Sequence, residues 1–377
     1  MNRRTFIKTG LAALGASVGS GCVSSSPDEG TYSISILGDT HFDAAPQSLY
    51  HGHWVPRDQN DRRDRQGEFA RNADMWANRL PKLIAAAAKT RRDDTRFLLQ
   101  MGDLVQGDCT DEAIQLKMLE DARSACTRGF GDLPFLTVCG NHDIRSGGSS
   151  AYDAFLRSVV RRAIGQTATS ANFFFRQGPD AYVFVDFMRP DNALIHAMLD
   201  VSEDARHTFF VLHSPIAPSD TWGSYWFLFG KPGDEERRRT LFARLVKRRA
   251  IVLCGHLHRT QIRRWRRYGG ELVEFSMNSV WRPQENRPRV LFSSPSQFGD
   301  YVKRHPAPMG EDHDGCRQKR TAAEQVALMD EYRSGLVQYR MLEAAGHYQL
   351  RVSDKGVSVG FYACDATSPF ETFALKG

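Results

Sequence analysis

The sequence predicts an α/β fold, in which helices cover sheets of largely buried strands. Short apolar runs rich in Val, Ile, Leu and Phe recur along the chain, and most end in a glycine or a polar cluster. Runs that are apolar at nearly every position are typical of strands buried on both faces of a sheet. Segments with helical periodicity separate these runs, and such alternation favours an α/β domain.

The predicted elements can be placed in order along the chain. The strands are 32–39, 96–103, 135–143, 181–187, 207–215, 250–258 and 271–280, with a hairpin over 347–364. The helices are 68–91 with a break at Pro81, 111–127, 151–163, 234–249 and 321–345. Residues 282–320 are rich in Pro, Arg, Ser and Gly, so we expect a long irregular insertion there.

The first residues differ in character from the rest of the chain. Arg3 and Arg4 precede a short stretch rich in glycine and alanine, which is typical of a twin-arginine export signal. The stretch is shorter than the roughly 20 apolar residues that span a bilayer. Cys22 follows small residues, and lipidation at Cys22, simple cleavage and retention as an anchor all stay open. We expect an exported protein of the periplasm or cell envelope, with lipidated Cys22 as one route to a membrane tether.

Residues 1–30 are therefore interpreted as signal and linker, and the folded core is expected over residues 31–281. Residues 282–377 should add the insertion, a helix and a terminal hairpin that completes the same domain. Cys139 and Cys254 end apolar strands and are interpreted as small buried hydrophobic residues. The seven cysteines consequently predict no disulfide framework.

The composition is that of an ordinary globular protein, with 41% hydrophobic and 25% charged residues. The net charge of +6 comes mostly from arginine and suits an anionic substrate or surface. The charge does not by itself indicate a nucleic-acid partner. No zinc-finger spacing, basic-region heptad or aromatic single-strand-binding signature accompanies it.

Polar side chains that bind metals follow five of the apolar runs, at the carboxyl ends where open α/β sheets place their sites. They comprise two carboxylates, one amide and four imidazoles: Asp39, His41, Asp103, Asn141, His213, His256 and His258. Seven nitrogen and oxygen donors are too many for one tetrahedral ion and suit two divalent ions that share a carboxylate. The absence of a thiolate favours Mn, Fe or Zn. Two such ions about 3.5–4 Å apart form a clamp for displacement at phosphorus.

The ordered motifs are Asp39-x-His41, Gly102-Asp103, Gly140-Asn141-His142-Asp143, His213 and Gly255-His256-x-His258. Together they resemble the calcineurin-like metallophosphoesterases over roughly residues 32–260. The resemblance implies two packed mixed β-sheets flanked by helices, two divalent metal ions and hydrolysis of a phosphate ester. The paired histidines of GHLH are more similar to the phosphodiesterase and purple-acid-phosphatase side of the family than to the Ser/Thr protein phosphatases.

The resemblance also implies a role for each residue. The first metal would be held by Asp39, His41 and His258, the second by Asn141, His213 and His256, and Asp103 would bridge them. A hydroxide between the ions would be the nucleophile, because two cations lower the pKa of bound water. His142 would protonate the leaving oxygen as general acid. Asp143 would orient the imidazole of His142.

Contacts with the rest of the substrate are less well defined. Asn141 and Arg145 lie in or just past the third motif and are weak candidates for binding the phosphate. The segment that contains His51 and His53 is interpreted as a solvated loop. Four arginines of that segment are alternative phosphate ligands: Arg57, Arg62, Arg63 and Arg65.

Three further segments allow a functional or an ordinary interpretation. The aromatic residues Trp222, Tyr225, Trp226 and Phe227 form either an apolar wall for a leaving group or part of the core. Residues 237–249 are interpreted as an ordinary surface helix with one apolar face. Residues 263–268, RRWRRY, are interpreted as solvated strand residues, in preference to a contact with a polyanion or a membrane.

The expected function is bimetal-dependent hydrolysis of a small-molecule phosphate ester, by a phosphomonoesterase or a phosphodiesterase. Monoester, diester and pyrophosphate all suit the same core, since it contacts only the phosphoryl group. Selectivity would depend on residues 44–67, 216–232 and 282–320. A non-catalytic metal-binding scaffold of the same fold is the alternative, although intact His142 and Asp143 argue against it. A nuclease is a further alternative and would bind nucleic acid tightly and in a salt-dependent way.

Overall fold

A computed structural model describes residues 30–44, 47–109, 111–218, 227–231, 233–285, 287–297 and 322–377. The predicted export signal, Cys22 included, lies outside the described residues, and so do Trp222, Tyr225, Trp226 and much of the predicted insertion. Among the residues that are described, no helix combines the length and the apolar character needed to cross a bilayer.

The described strands form two mixed sheets. The strands are β1 (Tyr32–Leu37), β2 (Thr95–Gln100), β3 (Phe135–Thr137), β4 (Phe173–Gln177), β5 (Asp180–Val185), β6 (Thr208–Leu212), β7 (Ile251–Cys254), β8 (Thr260–Arg267), β9 (Gly270–Ser276), β10 (Arg289–Phe292), β11 (Leu336–Glu343), β12 (Gly346–Ser353), β13 (Gly356–Ala363) and β14 (Glu371–Lys376). The first sheet has the order β14-β13-β12-β1-β2-β3, and the second has the order β10-β11-β8-β9-β7-β6-β5-β4.

Parallel pairing lies at the centre of both sheets. In the first sheet β1, β2 and β3 run parallel, while β12 pairs antiparallel with β1. In the second sheet β5, β6, β7 and β9 run parallel. The strands that follow residue 282 thus extend the same two sheets. The prediction of an α/β fold with two mixed sheets flanked by helices is confirmed.

The helices surround the sheets and begin at recognisable caps. The helices are α1 (Gln47–His51), α2 (Gln59–Asn78), α3 (Leu80–Lys89), α4 (Glu112–Cys126), α5 (Ser149–Ile164), α6 (Asn192–Val201), α7 (Glu235–Lys247) and α8 (Ala322–Arg333). The carboxylates of Asp58, Asp111 and Asp191 accept backbone N–H groups at the starts of α2, α4 and α6. Pro81 lies in the first turn of α3, where a proline is tolerated because its missing N–H has no partner there anyway.

Two segments have a different element type from the one predicted, and the strands β4, β10 and β14 were not predicted. The segment that contains His51 and His53, expected to be a solvated loop, contains α1 and the start of α2. Asp58 caps α2, but the many charged residues of this helix obscure its helical periodicity in the sequence. The expected helix over 321–345 ends at Arg333. Gly335 follows in a left-handed conformation with φ +77°, and the chain continues as β11, which pairs with β8.

The main apolar core fills the space between the two sheets. Along β6, Phe209 and Val211 pack into this core, whereas Phe210 and Leu212 belong to a second cluster on the outer face of the sheet. Both faces of β6 are therefore buried, which explains why its sequence is apolar at nearly every position. The side chains of Leu241, Phe242, Leu245 and Val246 form the buried face of α7, as predicted for residues 237–249.

The cysteines and the RRWRRY motif are buried to different extents. Cys139 and Cys254 are buried and form no disulfide, as predicted. Arg263 and Trp265 are each only 1% exposed, so the prediction that residues 263–268 are solvated is wrong for these two. The guanidinium of Arg263 is compensated by an ion pair with Glu274 and by the carbonyl oxygens of Ala217 and Pro218.

Candidate metal centre

Five parallel strands end at one place between the two sheets, and each contributes a polar loop. Asp39 and His41 follow β1, Asp103 follows β2, and Asn141 follows β3. From the second sheet, His213 follows β6, and the pair His256 and His258 follows β7. The parallel strands within each sheet direct their carboxyl ends to the same edge, so the structure brings the predicted ligands together.

The carboxylate of Asp103 is common to two clusters of metal-binding groups. One cluster consists of Asp39, His41, Asp103 and His258, and the other of Asp103, His213 and His256, with the ligand atoms of each cluster within 4.8 Å of one another. Oδ2 of Asp103 lies 3.2 Å from Nε2 of His213 and 3.6 Å from Nε2 of His41. This is the geometry expected of a bridging carboxylate.

Hydrogen bonds outside the clusters fix how two imidazoles are presented. Nδ1–H of His213 donates to the carbonyl oxygen of Met101 at 2.7 Å, which directs its Nε2 toward Asp103. Nδ1 of His256 lies 3.1 Å from that same Nε2. In the other cluster, the Nε2 atoms of His41 and His258 are 3.0 Å apart. Imidazole nitrogens that converge in this way suit a shared cation.

The donor set fits two divalent cations. Oδ1 of Asn141 is buried and has no hydrogen-bond donor among the described residues. Buried polar atoms normally have a partner, and a cation would supply the one that this amide oxygen lacks. The set combines carboxylate, amide and imidazole donors without a thiolate, and the choice among Mn, Fe and Zn stays a prediction. These residues are therefore suited to binding divalent cations.

The two carboxylates are buried among imidazoles, and their charges are coupled to those rings. Burial raises the pKa of Asp103, but the charges of His213 and His142 lower it by more. The pKa of Asp103 therefore lies well below its usual range. Burial lowers the pKa of His213, whereas Asp103 and Asp39 raise it, with a net value of about 9. A proton on His213 and a cation compete for the same negative charge, so metal binding would release this proton.

Four of the candidate ligands have left-handed backbones, which is uncommon for residues other than glycine. Their φ angles are +40° for His41, +48° for Asp103, +69° for His256 and +49° for His258. Each such conformation costs of order 1 kcal/mol and persists where the surrounding structure enforces it, most often at functional sites. These loops therefore carry backbone strain that orients their side chains toward the centre.

Glycines allow the loops to approach the carboxylates closely. A Cβ atom at residue 255 would overlap Oδ1 of Asp39, and one at residue 140 would overlap the backbone nitrogen and Oδ1 of Asp103. In addition, both oxygens of Asp39 lie 3.0 Å from the backbone nitrogen of His256. A side chain larger than hydrogen would not fit at residues 140 and 255. This explains why a glycine precedes Asn141 and His256 in the motifs.

His142 lies at the edge of the centre, and its imidazole contacts a backbone carbonyl where Asp143 was expected. Its Nε2 is 4.0 Å from Oδ2 of Asp103, and its Nδ1 lies 3.0 Å from the carbonyl oxygen of Gln106. Both oxygens of Asp143 instead accept backbone N–H groups, from Gly140 and Val105. The predicted contact between Asp143 and the imidazole is therefore replaced by one from a backbone carbonyl. Asp143 ties together the loops that follow β2 and β3.

Several arginines that were candidates for binding the phosphate form ion pairs with carboxylates of the protein. Nη1 of Arg145 lies 3.1 Å from Oε2 of Glu68 and 3.6 Å from Oδ2 of Asp108. Arg65 is buried and also pairs with Glu68, at 2.9 Å. Contacts from Asn141 or Arg145 to the substrate remain a prediction. Arg57 and Arg63 lie on the surface, paired with Asp61 and Asp64 respectively.

His51 and Phe227 are packed into the protein. Nε2 of His51 lies 2.9 Å from Oδ1 of the fully buried Asp43, and its ring stacks on Phe69 with a centroid distance of 3.7 Å. The prediction of a solvated loop is therefore wrong for His51, although His53 is exposed. Phe227 is 4% exposed and belongs to the outer apolar cluster, so for this residue the core interpretation is correct.

The sequence prediction missed the groups around a cavity of about 170 Å³ beside the centre. This cavity, which we call the side pocket, is bounded by three histidines of the centre, by α2 and by residues 280–283 after β9. Gln106 also borders it, and its amide contacts Glu68 and Asn72. No motif marks these residues, because their chemistry depends on the packing of α2 against the centre.

A model of the calcineurin-like phosphoesterase family matches residues 32–260, which is more than half of the chain. The chain belongs to this family. The resemblance stated from the motifs is thereby confirmed, and phosphoesterase chemistry and divalent metal binding follow at the level of the family. By sequence, no protein of curated function matches the chain.

PhoD and a purple acid phosphatase share the fold of this chain at low sequence identity. PhoD is 8% identical with a TM-score of 0.52, over 93% of this chain and 70% of that chain. The purple acid phosphatase PPD1 from yellow lupin is 11% identical with a TM-score of 0.51, over 91% of this chain and 53% of the lupin chain. GAP50, the anchor in the inner membrane complex of Plasmodium, is 13% identical with a TM-score of 0.45, over 92% and 89%. At these identities the likeness concerns the fold alone.

Proposed function

We propose that this protein hydrolyses a phosphate ester with the help of two divalent cations. The observation that carries the proposal is the pair of metal-binding clusters that share the carboxylate of Asp103. Membership of the calcineurin-like phosphoesterases supports the same chemistry. A set of donors for two cations is also more than a protein needs for structural stabilisation of one loop.

In this proposal each cluster binds one cation. One would be held by Asp39, His41 and His258, the other by Asn141, His213 and His256, and Asp103 would contribute to both. The cations would polarise the phosphoryl oxygens and activate a water molecule. The protein holds the donors in place through the Met101 carbonyl and the strained loops, so little reorganisation is needed when the phosphate group binds.

His142 is proposed to deliver a proton to the leaving oxygen from its Nε2 atom. The carbonyl of Gln106 accepts from Nδ1–H, so the neutral ring is free to take up a proton at Nε2. Burial lowers the pKa of His142 well below its usual value, and the charge of Arg145 lowers it further. A bound phosphate dianion would raise it again by its opposite charge, so that the acid becomes protonated with its substrate present.

We also propose that the chain is exported through its twin-arginine segment, a proposal supported by Arg3 and Arg4 ahead of the short apolar stretch. Replacing both arginines with lysine should retain the protein in the cytoplasm, as measured by fractionation. Replacing Cys22 with serine separates lipidation from simple cleavage, because only a lipidated protein would then leave the membrane fraction.

The proposed hydrolysis can be tested with metal-depleted protein to which Mn, Fe, Zn or no metal is restored. Release of nitrophenol from p-nitrophenyl phosphate and bis-p-nitrophenyl phosphate would be measured for the wild type, Asp103→Asn and His142→Ala. We expect metal-dependent turnover that Asp103→Asn abolishes. Asp93→Asn, an exposed site with the same substitution, is the control. No turnover with any metal, despite two ions bound per chain, would point instead to a metal-binding scaffold.

A further inference from the structure

The side pocket joins the candidate metal centre to the surface. His41, His142 and His258 form its inner end. Its walls come from α2 and from the segment after β9, and they include Glu68, Arg71, Asn72, Asp74, Met75, Arg79, Val280, Trp281 and Arg282. A group attached to a phosphoryl at the centre, on the side of His142, would extend into this pocket.

Two arginines of the side pocket lack a close carboxylate. Arg71 forms no ion pair with any described residue. Nη1 of Arg282 lies 3.8 Å from the nearest oxygen of Glu285, which is too long for a hydrogen bond. Arg79, in contrast, pairs with Asp74 and donates to the carbonyl oxygen of Trp281. The other carboxylate of the pocket, that of Glu68, pairs with Arg65 and Arg145, so Arg71 and Arg282 retain their positive charge.

The indole of Trp281 adds an unsatisfied donor to these charges. Trp281 is 7% exposed, and its Nε1–H is buried without an acceptor among the described residues. Buried N–H groups are normally hydrogen-bonded, so an oxygen of a ligand in the pocket would complete this one. Met75 and Val280 provide apolar walls beside it.

We propose that the side pocket binds the leaving group of the substrate, and that this leaving group is small and carries a second negative charge. The proposal rests on the proposed phosphoesterase function. Arg71 and Arg282 would make charge-assisted hydrogen bonds to a carboxylate or phosphate of the leaving group, and Trp281 would donate one more. The volume of about 170 Å³ is below that of pockets for larger ligands, which are roughly 300–1,000 Å³.

The proposed reaction is a hydrolysis with a balanced transfer of atoms. The bond between phosphorus and the leaving oxygen breaks, and a bond between phosphorus and a water oxygen forms. The leaving oxygen takes its proton from Nε2 of His142. The attacking water releases one proton to solvent, and His142 regains a proton from solvent, so one water molecule is consumed overall. The products are inorganic phosphate and a small organic acid that bears a hydroxyl group, or a second phosphate where the substrate is pyrophosphate.

A matched pair of substrates tests the charge of the leaving group. 3-Phosphoglycerate and glycerol 3-phosphate differ by a carboxylate in place of a hydroxymethyl group. With the Mn-loaded enzyme we expect kcat/KM to be about tenfold higher for 3-phosphoglycerate, and Arg71→Gln and Arg282→Gln each to reduce this ratio severalfold. Arg157→Gln, an exposed arginine of α5 outside the pocket, should leave the ratio unchanged. Pyrophosphate serves as a third substrate, and a preference for it identifies the second anion as phosphate.

A readout without turnover uses the product side of the reaction. Glycerate should raise the melting temperature of the Mn-loaded protein more than glycerol does, and the difference should shrink in Arg71→Gln. Equal efficiency for the two esters, or a ratio unaffected by both arginine substitutions, would overturn the assignment of the side pocket alone. Release of phosphate from none of the three substrates would overturn the side-pocket assignment, and only the additional absence of nitrophenol release from both nitrophenyl esters would overturn the proposed function.

Discussion

Nδ1 of His142 lies 3.0 Å from the carbonyl oxygen of Gln106, so a backbone group holds the proposed general acid. A carbonyl is uncharged, and it fixes the tautomer without adding the negative charge that a carboxylate partner would bring. The basicity of Nε2 then depends mainly on the phosphate that binds in front of it. Two predictions separate the roles of His142 and Asp143.

The first concerns substitution of His142 by alanine. An alkyl phosphate needs a proton on its leaving oxygen, whereas nitrophenolate leaves without one. We therefore expect His142→Ala to lower kcat for glycerol 3-phosphate by about 10²–10⁴-fold, and that for p-nitrophenyl phosphate much less. Metal content should stay at the wild-type level. Equal losses for both substrates would contradict a role in proton transfer.

The second concerns the carboxylate that holds two backbone N–H groups. Asp143→Asn replaces one acceptor oxygen with an NH₂ group, which leaves the N–H of either Gly140 or Val105 unsatisfied in the interior. We expect a loss of about 1–3 kcal/mol in the free energy of unfolding, measured by urea denaturation with Asp93→Asn as the control. A shifted pH profile of kcat at unchanged stability would instead favour a direct action of Asp143 on the imidazole.

The close approach of Gly255 to Asp39 predicts a metal-binding defect. In Gly255→Ala the added Cβ would displace the carboxylate of Asp39, so cation affinity should fall by about 10–100-fold, as it does when ligand-supporting contacts are lost. The same substitution at Gly67, inside α2, should leave cation affinity unchanged, since there a Cβ meets only the end of the Arg71 side chain. Isothermal titration with Mn or Zn measures both variants.

The buried ion pair of Arg263 and Glu274 predicts a large effect on stability. Glu274→Gln leaves a guanidinium that is 1% exposed without its counter-charge, and we expect a loss of about 3–5 kcal/mol in the free energy of unfolding. Glu271→Gln removes the partner of Arg264 and Arg266 nearer the surface and should cost about 1 kcal/mol or less. Similar losses for the two variants would show that burial of the first pair does not matter.

The buried imidazole of His347 predicts a loss of stability in acid. Burial lowers its pKa from 6.5 to about 4, so the unfolded chain binds the proton more readily than the folded protein. Stability is thus fully present above pH 6.5 and is lost as the pH falls toward 4, by about 2 kcal/mol at pH 4.5. His347→Gln should flatten this part of the stability profile, whereas His53→Gln, at an exposed site, should not.

The ligands were predictable because their side chains carry distinctive chemistry and each follows a buried strand. The strands were also predictable, because β6 and β7 are buried on both faces and their sequences are apolar throughout. Gln106 was not predictable, because it acts through a backbone carbonyl that every residue possesses. The positive φ angles of His41 and Asp103 likewise leave no mark in residue type.

Errors in the fold prediction arose where distant pairing decides the outcome. Residues 336–343 form a strand because β8 offers an edge to them, and local propensity gives no sign of this. Arg263 is buried because Glu274 lies on the neighbouring strand β9 and is the partner residue in the register. A run of arginines gives no indication of which member meets a carboxylate in the folded chain.

Each metal-binding cluster draws residues from both sheets. Asp39, His41 and Asp103 belong to the first sheet and meet His258 of the second, while Asp103 meets His213 and His256. A bound cation would thus link the two sheets, and its binding free energy would add to the free energy of unfolding. Neither cluster exists until the layers have docked, so competence to bind metal reports that the whole domain has been assembled.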